Sequence, residues 1–473
     1  MISFREAFNV SGACLKREML QLHIRFSKVE CGHGVAEQRN EGHYLLTKPR
    51  DFLRNTSFYS SCIDGNWQLQ SAGLFLLTVF SFFPVLFHIE EILFFTLLGL
   101  ALVAGWLEGK AFRIRTPIDL PLFLLLAWIF GTIPFSLNPE YSFVEWRKLL
   151  AQCLVFYWAV YVIRELSQRP EVGSLSLSFK WMDGVGEKSH LQNVLFGVLV
   201  GTVALSSIAL LDFIERGGNW QDRTIRAIVP GSDYNWLSTY MVLAIPIVLY
   251  CAIRFRVLWG KIFSCSTVVL ALLAQAASYT RAGWLASVAQ LFTWGLVKGR
   301  RLFICGLIFV ITLAAVALVG IVQMGYQADT LHTWTIETRL QAWKLGVDQI
   351  ISHPIVGIGY GNNNFEPTLI DVPMSDKSMH LHNTPLMVGV GSGLPGLVFF
   401  LWVFIRLGQE FFVLKKRQTW TDSETLKLCL GTVLVGFFCR NLFDYMFAGS
   451  LAYLFWILMA CGLESPLQSK EKS

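Results

Sequence analysis

The feature that most constrains this chain is a recurring apolar run about as long as a bilayer is thick. From residue 71 to residue 463, stretches rich in Leu, Val, Phe, Ile and Ala alternate with short polar segments. An α-helix needs roughly 17–25 such residues to cross the hydrocarbon, and in lipid each backbone polar group must find a partner within the protein. Only 15% of the residues are charged and 54% are hydrophobic, against about 25% charged in a soluble chain. Mean hydropathy is +0.50. The expected fold class is all-α, a polytopic helical membrane protein of about twelve spans. They are expected near 71–88, 92–108, 119–136, 149–163, 191–214, 236–253, 262–280, 284–298, 302–323, 383–405, 428–445 and 448–463.

Residues 1–70 are polar and mixed, without the basic, apolar and small-residue order of a signal peptide. They are expected to form a poorly ordered cytoplasmic extension. Seven of the ten cysteines sit in apolar runs without ligand spacing, as small core residues. The net charge of +6 points to cytoplasmic loops and not to nucleic acid.

The loops orient the chain. One alternate set carries Lys110, Arg113 and Arg115; Arg164, Arg169, Lys180 and Lys188; Arg254, Arg256 and Lys261; Lys298, Arg300 and Arg301; and Arg406, Lys415, Lys416 and Arg417. The other holds Glu90 and Glu91, the loops 137–148 and 215–235, and the long loop 324–382. The positive-inside rule makes the first set cytoplasmic, with both termini inside and 464–473 a cytoplasmic tail. The long loop then faces outward, away from the cytosolic nucleotide pool. In it Leu340, Trp343, Val347, Ile350 and Ile351 recur at helical spacing. They make an amphipathic helix suited to lie on the membrane or against the spans, ended by His353-Pro354 and Gly357, Gly359 and Gly361.

Chemistry collects on that outer side. His382 and Asn383 stand at the mouth of a span, where polar groups are costly to desolvate. A neutral imidazole there can take a hydroxyl proton near pH 7; it can also simply hydrogen-bond the next helix. His380 and His382 form an H-x-H pair near Asp371 and Asp376 with no compact third ligand, so no metal site is expected. Arg281, in SYTRAGW, either snorkels to the interface or offers a charged fork to phosphate. Arg223 and Arg226 lie in an outward loop, as solvated cations or as a second anion site. Arg339 opens the amphipathic helix against its macrodipole, which suits an anion or a carboxylate partner, with Glu337 nearest. There is no G-x-S-x-G, P-loop or dinucleotide fingerprint, and no cofactor is expected.

Together these residues resemble a known family. His382-Asn383, nine residues, then Gly393-Leu394-Pro395-Gly396 is similar to the H-N-x9-G-x-x-G pattern of the O-antigen ligases. ETRLQAWKLGVDQIISHPIVGIGYGNNNF resembles the preceding stretch of the wider O-antigen ligase and polymerase superfamily. SYTRAGW resembles its T-x-S-R-G element, with Thr280 where Ser is usual. RAIVPGSDYNWLSTY resembles its R-x-x-G…P-N-x-x-A element, with Asn235 in place but Tyr234 instead of proline and no matching glycine. The resemblance covers about 70–463.

It implies an inverting, metal-independent glycosyltransferase at the periplasmic face of the bacterial inner membrane. The donor would be a glycan on undecaprenyl pyrophosphate, and the acceptor the lipid A–core. Arg281 and Arg226, with Arg339 as a third cation, would hold the pyrophosphate. His382 would deprotonate the acceptor, with His380, Asn383, Asn235 and Thr280 in support. Alternatives are a polysaccharide polymerase, a protein O-oligosaccharyltransferase, or a solute transporter with bicarbonate among its candidate solutes. A transporter should show inverted repeats and broken helices.

Overall fold

The computed structural model describes residues 57–110, 114–169, 189–220, 224–299, 333–365, 381–412 and 420–463. Most of the N-terminal extension, the expected span 302–323, the C-terminal tail, Arg223, Asp371, Asp376 and His380 lie outside the described residues. Among the described residues there are twelve α-helices and no extended strand. They are α1 (Ser57–Phe80), α2 (Phe87–Glu108), α3 (Asp119–Thr132), α4 (Pro139–Ser167), α5 (Ser189–Glu215), α6 (Tyr234–Arg254), α7 (Leu258–Ala277), α8 (Arg281–Lys298), α9 (Thr333–Ser352), α10 (Thr384–Phe411), α11 (Asp422–Asn441) and α12 (Gly449–Gly462). Among the described residues, six helical stretches are long and apolar enough to cross a membrane by length and composition, and two shorter apolar helices accompany them. The protein is a polytopic helical membrane protein.

The outer surface keeps apolar side chains such as Ile92, Trp106, Phe123 and Leu296 exposed, as a lipid-facing surface requires. The interior holds polar groups, many of them supplied with a partner. The Gln290 amide donates to the Val242 carbonyl at 2.8 Å, and Gly436 leaves the room for it, since a Cβ there would meet Gln290 at 2.2 Å. These contacts tie α6, α8 and α11 together.

Two helices begin earlier than hydropathy indicates. Helix α1 starts at Ser57 and runs ahead of residue 71 through Gln70, which is buried and partnered. Gln70 donates to the Leu97 carbonyl at 2.8 Å and accepts from the Trp158 indole at 2.9 Å. Helix α4 starts at Pro139, through what reads as a loop, because Asn138 caps it by accepting from Tyr141 N–H. Helix α11 likewise gains a turn from the Thr421–Glu424 capping box.

Several of the described basic residues sit at helix ends in contacts of their own. Lys110 and Arg169 pair with Glu108 and Glu165, Arg254 pairs with Asp422, and Lys298 lies over the Trp420 ring. Arg406 donates to the Pro117 carbonyl. On α8, α10 and α11 these contacts lie at the opposite end from Arg281, His382 and Arg440.

Helix α10 is broken. Gly393 has φ 72° and ψ −177°, and the carbonyls freed around the break are taken up by the loop after α9. Ile358 N–H donates to Val390 O and Gly359 N–H to Gly391 O, at 2.9 and 3.0 Å. The Trp128 indole donates to Ser392 O at 2.8 Å. Leu394 N–H, in turn, donates to Pro354 O. This close approach of two backbones explains Gly393 of the His382 pattern and Gly357 of the loop before it. A Cβ on Gly393 would sit 2.1 Å from the Ile355 carbonyl oxygen, and one on Gly357 would sit 2.5 Å from Val390 O.

Helix α9 does both things its pattern allows. Ala342, Leu345 and Ile350 pack on Leu381, Leu386, Met387 and Val390, while Leu340, Val347 and Ile351 stay exposed. The apolar residues therefore divide between two faces, one docked on α10 and one left outward.

Candidate active site

The N-terminal end of α10 meets the C-terminal end of α11. Asn383 caps α10 by accepting from Leu386 N–H at 2.9 Å. The Trp343 indole of α9 donates to Leu381 O at 2.7 Å, fixing the residue before His382. His382 itself has φ 48°, a left-handed conformation that costs an L-residue about 1–2 kcal/mol. Among the described residues only one other non-glycine shares it, Tyr279, in the turn before Thr280-Arg281. Strained backbone that persists marks positions the surroundings over-determine, often functional ones.

The left-handed turn aims the imidazole at Asp444. His382 Nδ1–H donates to Asp444 Oδ1 at 3.0 Å; the ionised carboxylate can only accept, so it places a proton on Nδ1. The His382 side chain is 33% exposed and that of Asp444 only 9%. Asp444 also accepts from Tyr445 N–H at 2.9 Å and lies 3.8 Å from the Arg440 guanidinium. It sits in the turn beyond α11. Burial works against its charge, but the His382 hydrogen bond and Arg440 outweigh burial and hold its carboxyl below the usual carboxylate range. The turn is tied down by Thr384, whose hydroxyl is 2.6 Å from Asn441 Oδ1 and 3.1 Å from Asp444 O.

Arg440, fully buried, carries the network to α6. Its Nε donates to Thr239 Oγ1 at 2.9 Å and its NH2 to Asn235 O at 3.2 Å. Asn235 thus contributes its backbone carbonyl. One residue earlier, Tyr234 lies under Arg226, whose guanidinium is 4.4 Å from the ring centroid. Thr280 Oγ1 donates to Tyr234 O at 3.3 Å, placing the start of α8 against the start of α6. Arg281 follows, with an exposed side chain. The backbone pair Ala227 N–H to Ala277 O, 2.9 Å, closes the same corner. Arg339 lies within electrostatic reach of Arg440. It is one turn before Trp343, whose ring centroid is 6.4 Å from that of Phe443.

The structure therefore joins His382, Asn235, Thr280 and Arg226 through short contacts, puts Arg339 beside them, and puts Arg281 next to Thr280. The Glu337 side chain lies outside the description. Sequence reading passed over Asp444 and Arg440. The signal was there in RNLFDY, an acid and a base four residues apart at the end of an apolar run. Ionisable residues in that setting are functional candidates by default.

Residues 266–401 match the family model described as O-antigen ligase. Over this segment the chain is similar to the O-antigen ligase family. The matched stretch runs from α7 into α10 and contains Thr280, Arg281, Arg339, His382 and the Gly393 break. Arg226, Asn235, Arg440 and Asp444 fall outside it, yet they contact or neighbour residues within it. No curated protein matches the chain. The matched family is one of O-antigen ligase-type activity in general.

Proposed function

We propose that this chain transfers a glycan from undecaprenyl pyrophosphate to an acceptor hydroxyl, a lipid A–core sugar, at the periplasmic face of the bacterial inner membrane. The observation that carries the reading is the His382–Asp444 pair at the mouth of α10. In the step proposed, the acceptor oxygen attacks the anomeric carbon of the donor sugar from the side opposite the pyrophosphate. His382 Nε2 takes the acceptor proton, and Asp444 stabilises the imidazolium that forms. The bond from the anomeric carbon to the phosphate oxygen breaks, its electron pair leaves on the pyrophosphate, and the configuration inverts. Arg281, Arg226 and Arg339 would receive that charge, and fixed guanidinium groups aimed at a developing anion do work otherwise done by a metal. Asn383 caps the helix that bears His382, Asn235 holds Arg440, and Thr280 sets the start of α8.

The basic helix ends opposite this site support a cytoplasmic placement of both termini, with the long loop 324–382 outside. Against a transporter stands the break in α10: its freed carbonyls bond Ile358, Gly359 and Trp128, whereas a carrier leaves such carbonyls open to its solute. Gene deletion followed by electrophoresis of lipopolysaccharide and of lipid-linked glycan tests the assignment. Uncapped lipopolysaccharide with long lipid-linked chains retained is the expected result. A single repeat on the core makes the chain a polymerase, and unchanged lipopolysaccharide contradicts both.

A further inference from the structure

A second feature lies on the far side of Asp444. A cavity of about 290 Å³ opens between the N-terminal ends of α2 and α4, the loop after α9 and the start of α12, near the lower limit of small-molecule sites, roughly 300 Å³. Three buried side-chain atoms on its wall have no hydrogen-bond partner: Gln152 Oε1, Asn362 Oδ1 and Tyr453 OH. Gln152 is 5% exposed and Tyr453 1%. Leaving such a group unsatisfied costs about 1–3 kcal/mol; the three atoms are themselves covered, so a ligand completes them by drawing these wall side chains toward the space.

The composition of the wall says which. Its charged groups are Glu91, Glu145 and Lys148, and Lys148 is already bound to Glu145 at 2.6 Å. Acceptors outnumber donors, so the ligand must bring donors, and two carboxylates turn away a phosphate. A lipid tail would leave the polar atoms unsatisfied. The remaining wall is largely aromatic, including Tyr360, Tyr445 and Tyr453. Ring faces beside hydrogen-bond acceptors suit a polyhydroxylated ring, with apolar C–H faces and O–H edges. The Tyr360 and Tyr445 hydroxyls bond each other, and Tyr445 N–H bonds Asp444, so the wall is continuous with the support of His382.

We infer that this cavity is a saccharide subsite, separate from the arginine side of the site, that holds one sugar ring through Gln152, Asn362 and Tyr453. The inference rests on the proposed glycan transfer and divides the work: cations on one side of the His382–Asp444 pair take the pyrophosphate, and the acidic, aromatic cavity on the other takes sugar. The sugar belongs either to the acceptor or to the donor glycan.

The test uses the purified full chain in detergent with the methyl glycosides of glucose, galactose and N-acetylglucosamine. Saturation-transfer NMR should detect at least one glycoside on the wild type, with inorganic pyrophosphate failing to displace it. Tyr453→Phe removes one polar atom and Gln152→Leu two, each with little change in volume, so both should fold. One lost neutral hydrogen bond of about 0.5–1.5 kcal/mol corresponds to roughly 2- to 10-fold weaker binding. In transfer assays the same variants should raise one KM by that factor with kcat little changed. A moved acceptor KM assigns the ring to the acceptor, and a moved lipid-donor KM assigns it to the donor glycan. If no glycoside binds the wild type, the subsite is overturned. It is also overturned if both variants gain thermal stability while binding and KM stay unchanged, because the cavity then holds only water. Glycoside binding that depends on Gln152 and Tyr453 in a protein that transfers no glycan would keep the subsite and sink the proposed reaction.

Discussion

Asp444→Asn is the substitution that separates a working pair from a packing contact. It preserves shape and removes one charge from a carboxylate whose side chain is 9% exposed. Asparagine can still accept from His382 Nδ1–H, so the tautomer and the left-handed turn survive. What goes is the stabilisation of the imidazolium formed when Nε2 takes the proton. A hydrogen bond to a charged group contributes about 1.5–3 kcal/mol, which corresponds to roughly 10- to 150-fold in rate. The loss should fall on kcat, since neither group is placed against the lipid pyrophosphate before the reaction. Stability must be followed as well. Removing one partner of a buried ion pair costs about 3–5 kcal/mol, but Arg440 keeps Thr239 Oγ1 and Asn235 O, and its distance to Asp444 is 3.8 Å, so the lower figure applies. The assay is in vitro transfer from a lipid-pyrophosphate donor at matched membrane abundance, with thermal unfolding on the same samples. A folded, abundant Asp444→Asn protein with kcat within about twofold of wild type would refute the role given to the pair.

Three further outcomes are expected. Arg281→Lys keeps the charge but loses the planar fork; it should insert normally and transfer roughly ten- to more than a hundredfold less glycan, whereas a residue that only snorkels tolerates the change. Gly393→Ala should lower thermal stability by more than the 1–2 kcal/mol or so of a left-handed alanine, because its Cβ would meet Ile355 O at 2.1 Å; Gly99→Ala, with nothing within 4 Å, is the neutral control. Because the Asp444 carboxyl is held below its usual range, its charge stabilises the fold above the unfolded carboxylate pKa of about 3.9 and loses that effect as pH falls through the lower folded value. The gap in unfolding temperature between wild type and Asp444→Asn should therefore narrow as pH falls below about 4.

What could be read from the sequence followed from period and length. Apolar runs announced most spans, and His382 stood out because a titratable group at a span mouth is rare. Helix α9 was legible from its spacing, although the spacing alone does not say that Leu340, Val347 and Ile351 face away from α10. The starts of α1 and α4 were not legible, because α1 runs ahead of residue 71 through Gln70, whose partners come from other segments, and α4 is capped by Asn138 within a stretch that reads as a loop. Asp444 is 62 residues from His382, and Arg440 is about 200 from Thr239. No local pattern joins them, and RNLFDY reads as the polar end of a span until α11 is packed against α6 and α10. The cavity was equally hidden, since Gln152, Asn362 and Tyr453 come from three distant stretches.

Reconstituted transfer tests the central claim most directly. The purified chain, a glycan on undecaprenyl pyrophosphate and lipid A–core are combined with EDTA present, and the product is followed by electrophoresis and mass. The expected result is a glycan joined to lipid A–core with inverted anomeric configuration, undiminished by EDTA and reduced by roughly 10²–10⁴-fold in His382→Ala, the range for a positioned acid–base group. Full transfer by a folded His382→Ala protein would contradict that claim, as would transfer that stops on chelation and returns with one divalent ion.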